Sequence, residues 1–285
     1  MSLITPFDPW KNSLCTCPFK YSLSAYTGCV HGCLYCYASS YIRNFSLARA
    51  KKDFLARLKR EIKKIPQNSI ITLASSSDPY QPLEKKLRLT RESLKIFENY
   101  KLRINIVTKS SLILEDSDIL RNLERVTVSI SLTTLDEKLA KKLEPYASSP
   151  NQKLRAIEEL SKYIPVIVRF DPLIYELNTS EIPKIVKIIK SAGAKQIITS
   201  TYKIKPDNFK RMLKIFPEYK NLWEKLYLAE GEKRNGYVYL PEYLRKKLIS
   251  LVRLIVLGEN LKFSCCREGF ANLNTANCDG SSLLD

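Results

Sequence analysis

Residues 24–38 read SAYTGCVHGCLYCYA, and this stretch sets the reading of the whole chain. Cys29, Cys33 and Cys36 stand at C-x-x-x-C-x-x-C spacing. Thiolate sulfur is the preferred ligand of iron–sulfur clusters. Three thiolates on one loop can hold three irons of a [4Fe–4S] cube. The fourth iron then has no protein ligand and is open to a substrate or cofactor. Gly28 and Gly32 relax the backbone where such a loop wraps closely round its contents. A structural zinc loop is the competing reading, but zinc of that kind wants four closed ligands.

Working outward, an apolar strand candidate, Tyr21 to Ala25, leads into the loop. Further candidates are Ile70 to Ser75, Arg103 to Thr108, Val126 to Ser131, Pro165 to Phe170 and Gln196 to Ser200. Each is short and rich in Ile, Val or Thr, as buried parallel strands are. Helical periods fall between them. Leu47, Phe54, Leu55, Leu58 and Ile62 recur at helical spacing, and Thr90 is placed to cap a helix running to Tyr100. Ser149 and Gln152 form a capping box with Pro150 at the first helical position. Ile182, Ile185, Val186 and Ile189 make a stripe that Gly193 would end, and another helix starts near Pro206.

The order is strand then helix, repeated about six times, which implies a parallel sheet with helices outside it. The expected fold is α/β, a partial (β/α)6 parallel barrel. It places the cysteine loop at the C-terminal end of the strands, where such folds keep their active sites. The pattern changes after Phe216. Helical stretches Glu218 to Leu226 and Pro241 to Leu257 are followed by a short strand, Leu261 to Ser264, and a polar tail. The expected organisation is a barrel over 1–216 and a helical, cysteine-bearing C-terminal extension, 217–285, packed on it.

The chain has eight cysteines and one histidine, His31. No stretch reads as an export signal, so reduced thiols and a cytoplasmic location are expected. The longest apolar run, Leu248 to Leu257, is broken by Arg253 and too short for a membrane span. A lone histidine makes histidine-rich zinc sites and Ser-His-Asp catalysis improbable. The 47 Lys and Arg against 29 Asp and Glu give a formal net charge of +18. That excess favours a polyanionic partner, DNA or tRNA, through counterion release and steering. A plain solvated surface is the alternative.

The run SAYTGCVHGCLYCYA, then SSSDPYQPLEKKLRLT, VTKS and SISLTTLDEKLAKKLEPYASSPNQKLRAIEEL, together covering most of residues 24–200, resembles the radical S-adenosylmethionine superfamily, in its spore photoproduct lyase-like branch. The resemblance implies a partial barrel, one radical-generating [4Fe–4S] cluster on Cys29, Cys33 and Cys36, and S-adenosylmethionine. The cofactor is cleaved reductively to methionine and a 5′-deoxyadenosyl radical, with electrons from a donor such as ferredoxin or flavodoxin. Tyr35 matches the aromatic position near the adenine. Ser75, Ser76, Ser77 and Asp78 follow the second strand, where the superfamily contacts the methionine amino group. Ser129, Ser131 and Arg169 lie on strands that commonly add cofactor contacts. Asp78 before Pro79 is also an ordinary turn start.

A second group, Cys265, Cys266 and Cys278, sits in FSCCREGFANLNTANCDGSS, with Cys15 and Cys17 as further candidates from the other end. Three roles compete: ligands of a second iron–sulfur cluster or zinc ion, a catalytic hydrogen donor (Cys278 or Cys266), or plain thiols. Basic residues cluster at Arg43 to Lys64, at Lys203, Lys205, Lys210, Arg211 and Lys214, and at Arg245 to Lys247. The sequence thus reads as a radical enzyme acting on a nucleic acid, by modification or repair. Radical modification of a peptide or small metabolite, and a non-catalytic iron–sulfur or zinc protein that binds nucleic acid, are the alternatives.

Overall fold

Seven short apolar strands, most separated by amphipathic helices, form a parallel sheet with the helices packed on one face and the other face curled round a lumen. A computed structural model describes residues 2–7, 13–73 and 76–284 and has this form. Its strands are β1 (Thr5–Pro6), β2 (Tyr21–Leu23), β3 (Tyr26–Thr27), β4 (Arg49–Ala50), β5 (Ile70–Leu73), β6 (Arg103–Thr108), β7 (Val126–Ser131), β8 (Val166–Leu173), β9 (Gln196–Thr201), β10 (Glu232–Arg234), β11 (Tyr237–Tyr239) and β12 (Lys262–Cys265). One sheet of eight runs β1-β2-β5-β6-β7-β8-β9-β12. β1 is antiparallel to β2, and every other neighbouring pair in it is parallel.

Strand alternation sorts the residues into two faces. Ile71, Leu73, Ile104, Ile106, Val128, Val168, Ile197 and Phe263 are buried on the outer face, against the helices. Ile182, Ile185, Val186 and Ile189 of the helix Ile182–Ser191 are fully buried in that layer. Each such side chain contributes roughly 1.5–3 kcal/mol relative to exposure.

The inner face is mostly polar, although Val107, Ile167 and Ile198 also lie on it. Thr72, Asn105 and Thr127 lie in register across three strands, with Ser129 and Ser131 further along β7. The C-terminal tail fills one end of this lumen. Asn105 Nδ2 donates to the Asp279 carbonyl, and Gln196 Nε2 donates to the Asn277 carbonyl at 2.8 Å. A Cβ on Gly280 would collide with Ile167 of β8.

The capping box at Ser149 and Gln152 forms as expected over the helix Pro150–Ser161. So do the helix from Pro206 to Ile215 and the positive φ of Gly193 after the helix ending at Ser191. Other readings need correction. The helix expected from Leu47 starts only at Phe54, because Arg49–Ala50 pairs with β3 and leaves Leu47 exposed. Thr90 lies inside its helix rather than capping it. Its amide is capped by Glu84 Oε1 at 2.9 Å, and its hydroxyl donates to Pro79 O. The hairpin β10–β11 was not expected, although Asn235-Gly236 at its turn is a strong hairpin signal. The strand expected at Leu261 to Ser264 forms as β12 and joins the main sheet beside β9. Among the described residues, no helix is long and apolar enough to cross a membrane.

Candidate functional site

The cysteine loop leaves β3 and is tied down by three different parts of the fold. Cys29 N donates to Phe45 O at 2.7 Å. Gly28 has φ +81°, and a Cβ there would strike the carbonyl oxygens of Leu47 and Phe45. Gln81 grips the loop twice: Nε2 donates to Gly28 O and Oε1 accepts from Val30 N, both at 3.2 Å. On the far side, the helix Pro206–Ile215 satisfies the carbonyls around the last cysteine. Asn208 Nδ2 donates to Tyr35 O at 3.0 Å, Arg211 Nε to Leu34 O at 3.2 Å, and Arg211 Nη2 to Cys36 O at 2.8 Å. Arg211 is therefore a loop anchor and not part of a free basic surface.

Burial pushes the Cys29 thiol up to about 11 and those of Cys33 and Cys36 above their usual range. A metal must displace their protons to bind. Among the described residues, no three His, Cys, Asp or Glu side chains stand in closed metal-binding geometry, in this loop or elsewhere.

Behind the loop lies a buried ionic network. Glu144 accepts from Tyr35 OH, from Thr133 Oγ1 at 2.7 Å and from Lys109 Nζ at 3.2 Å, and it pairs with Lys153. Burial alone would raise the Glu144 carboxyl, but Lys109 and Lys153 overcome it and hold the group below its usual range. Tyr35 thus points its hydroxyl into this network, with Lys109 Nζ 5.3 Å from its ring centroid.

Asp78 links three loops. Its Oδ1 accepts from Tyr80 N at 2.9 Å and Thr108 Oγ1 at 2.7 Å, and its Oδ2 accepts from Lys109 N at 2.7 Å. His31 Nδ1 lies 3.5 Å from that Oδ2, and burial lowers the imidazole's affinity for a proton. Ser77 is buried beside Asp78, while Ser75 falls outside the described residues.

The other expected contacts share the inner face of the barrel. Ser129 is fully buried and its Oγ has no hydrogen-bond partner. Ser131 is level with Arg169 across β7 and β8. Arg169 Nη2 is 3.0 Å from Asp171 Oδ2, and Asp171 Oδ1 accepts from Ser200 Oγ at 2.6 Å.

The tail cysteines divide. Cys265 faces outward, its Sγ 3.4 Å from Phe270 O and 3.3 Å from Asn274 Oδ1. Cys266, next along, faces the lumen with Arg169 and Cys278 near it. The neighbouring Cys278 thiol, aided by the Arg169 guanidinium, outweighs burial and lowers the Cys266 thiol to about 7. Cys278 Sγ is 3.4 Å from Cys17 Sγ.

Two basic residues expected at the surface are internal. Lys203 pairs with Glu268 at 2.8 Å, and Arg245 is fully buried against Glu232 and Glu268. A group that sequence reasoning missed stands beyond Cys36. The half-exposed Tyr37 and Tyr41 neighbour Arg267, and Tyr37 meets Tyr237 edge-on at 5.2 Å between centroids. Lys205 Nζ lies 4.6 Å from the Tyr237 centroid. The run of tyrosines after Cys36 was the available signal.

Residues 23–189 match the family model for the Radical SAM superfamily. An uncharacterized protein of Methanocaldococcus jannaschii is 30% identical over 146 residues, covering 50% of this chain and 55% of that one. An uncharacterized protein of Acidianus two-tailed virus is 28% identical over 202 residues, covering 62% and 65%. This chain therefore spans between about half and two thirds of these relatives' lengths. Among solved structures, a spore photoproduct lyase variant with bound AdoMet and dinucleoside spore photoproduct superimposes with a TM-score of 0.70 at 14% identity. That match covers 91% of this chain and 79% of the other, and it shows a shared fold.

Proposed function

The chain belongs to the radical SAM superfamily, and from that premise we propose that it is an enzyme that reductively cleaves S-adenosylmethionine at a [4Fe–4S] cluster held by Cys29, Cys33 and Cys36. The observation that carries this reading is the anchored loop: three thiols on one segment fixed by Phe45, Gln81 and Arg211. The donor set suits the group, since thiolates are its preferred ligands and three leave one iron open. When bound, the cluster and its cofactor supply one-electron reduction and hydrogen-abstracting radical chemistry. An external donor such as ferredoxin or flavodoxin supplies the electron.

The chain's own residues bind and orient. The unpartnered Ser129 Oγ offers a hydrogen bond into the lumen, and Ser131 adds another hydroxyl nearby. Arg169 offers a guanidinium for a carboxylate. By the family likeness Tyr35 takes the aromatic position near the adenine and Ser77 and Asp78 the region of the methionine amino group; Tyr35 is anchored on Glu144, and Asp78 ties the turn after β5 to Thr108 and Lys109 with His31 of the loop 3.5 Å away.

We propose a nucleic acid as the substrate class. Tyr37, Tyr41 and Tyr237, with Lys205 and Arg267 beside them, form an aromatic and cationic group next to the cluster loop. Such a group stacks bases and attracts phosphates. The net charge of +18 and the dinucleoside held by a structural neighbour point the same way.

The test is anaerobic reconstitution with and without Cys29→Ala, Cys33→Ala and Cys36→Ala. The intact chain should take up about four irons for this cluster and form 5′-deoxyadenosine. The triple variant should do neither, and an intact chain that takes up no iron would overturn the proposal. Binding to single-stranded DNA or tRNA should weaken steeply with salt. Absent binding at low salt removes the nucleic acid.

A further inference from the structure

Cys15 and Cys17 come from one end of the chain, Cys266 and Cys278 from the other. The fold draws all four toward one region, where no three of them stand in closed metal-binding geometry, so an ion has to draw the outer two in. Cys17 Sγ is 3.4 Å from Cys278 Sγ. Cys15 lies near Cys17, and Cys266 near Cys278. We propose that these four cysteines form a second site, separate from the Cys29–Cys36 loop, that takes one thiophilic divalent ion of tetrahedral preference, zinc or ferrous iron.

Three observations carry this. The first is separation. Metal–sulfur bonds of about 2.3 Å in a tetrahedron set the sulfurs about 3.8 Å apart, and the Cys17–Cys278 pair is already near that edge. A cubane spreads its ligands more widely, because each caps a different iron. The second is selection by strand alternation. Of the adjacent pair on β12, Cys266 is turned into the lumen and Cys265 out of it, so the fold picks one as a ligand.

The third is charge. Four thiolates around a divalent ion carry net charge −2, and cations stand beside three of them. Lys20 neighbours Cys17, Arg267 neighbours Cys15 and Arg169 neighbours Cys266. Plain core cysteines sit instead among apolar side chains. On binding, the ion displaces four thiol protons to solvent and no electron is transferred. The closed site would lock the segment before β2 to the tail that fills the lumen.

This site does not depend on the cluster reading, so its test removes the cluster. The full chain carrying Cys29→Ala, Cys33→Ala and Cys36→Ala is stripped of metal and titrated anaerobically with Co²⁺. The expected result is saturation at about one cobalt per chain, with thiolate-to-cobalt charge transfer and intense tetrahedral ligand-field bands. Adding Cys17→Ser and Cys278→Ser abolishes the bands, whereas Cys265→Ala keeps them. If the double serine variant does not fold, Cys15→Ser alone, at a partly exposed position, should weaken cobalt by at least about tenfold.

Metal analysis of the triple variant as isolated should give about one zinc or iron without sulfide. Any of four results overturns the proposal: no thiolate–cobalt bands, bands that survive loss of Cys17 and Cys278, about four irons with sulfide in the triple variant, or a Cys17–Cys278 disulfide in the anaerobically isolated chain.

Discussion

Lys20 Nζ and Asp279 Oδ2 lie 2.6 Å apart, both buried, and join segments 259 residues apart in sequence. Lys20 immediately precedes β2, while the tail carrying Asp279 is hydrogen-bonded to β12 through Phe263 and Thr275. The pair therefore bridges the two ends of the parallel run of strands. Removing one partner leaves an uncompensated buried charge, so Asp279→Ala should destabilise the fold by about 3–5 kcal/mol. Lys20→Met with Asp279→Leu should recover most of that loss. Urea denaturation of the two variants checks both statements.

Arg211 reaches the cysteine loop at Leu34 O and Cys36 O, and it also contacts Ser39 and Asp207. Arg211→Ala should cost about 1–2 kcal/mol, a value held down by the residue's partial exposure. Its larger effect should be on the loop: iron retention during gel filtration should fall. Lysine should not rescue it, because one ammonium cannot reproduce a planar fork on two carbonyls.

Glu144 holds Tyr35, Thr133, Lys109 and Lys153 together, and its folded carboxyl is below the usual range. A depressed carboxyl contributes stability that is fully present above its unfolded value of about 4.3 and is lost as pH falls toward the folded one. Glu144→Gln should therefore be destabilising at pH 7, by about 3–5 kcal/mol for a broken buried pair. The gap between variant and parent should narrow as the pH drops below about 4. Thermal unfolding across that range checks the sign.

Gly28 combines φ +81° with backbone oxygens where a Cβ would sit. Gly28→Ala should cost about 1–3 kcal/mol in backbone strain alone, and the loop must shift to relieve the collision. Iron uptake should fall sharply. Gly258→Ala is the control, since a Cβ there meets nothing within 4 Å and the position ends a helix. Its iron content should match the parent's.

The sheet and its helices were largely legible because strand and helix periods are local signals. The stripe Ile182, Ile185, Val186 and Ile189 and the box at Ser149 and Gln152 specify their helices from sequence spacing alone. The helix expected from Leu47 failed because pairing of Arg49–Ala50 with Tyr26–Thr27 overrides local periodicity. Thr90 carries a capping residue's chemistry, but the distant carboxylate of Glu84 takes that place. Charge was misread for the same reason. Lys203 and Arg245 look like surface residues in sequence, yet each meets Glu268 in the interior.

By itself, the sequence determined that three thiols share one loop at the head of a strand–helix series. Spacing along the chain fixes that, and no tertiary contact is needed to read it. The tertiary structure alone decided which distant groups serve the loop and what fills the lumen of the open barrel. It set Arg211 on the carbonyl of Cys36 and gathered Cys15, Cys17, Cys266 and Cys278, while turning Cys265 away. Those relations depend on the register of β12 beside β9 and on the path of the tail into the lumen. A shift of one residue in that register would exchange Cys265 for Cys266.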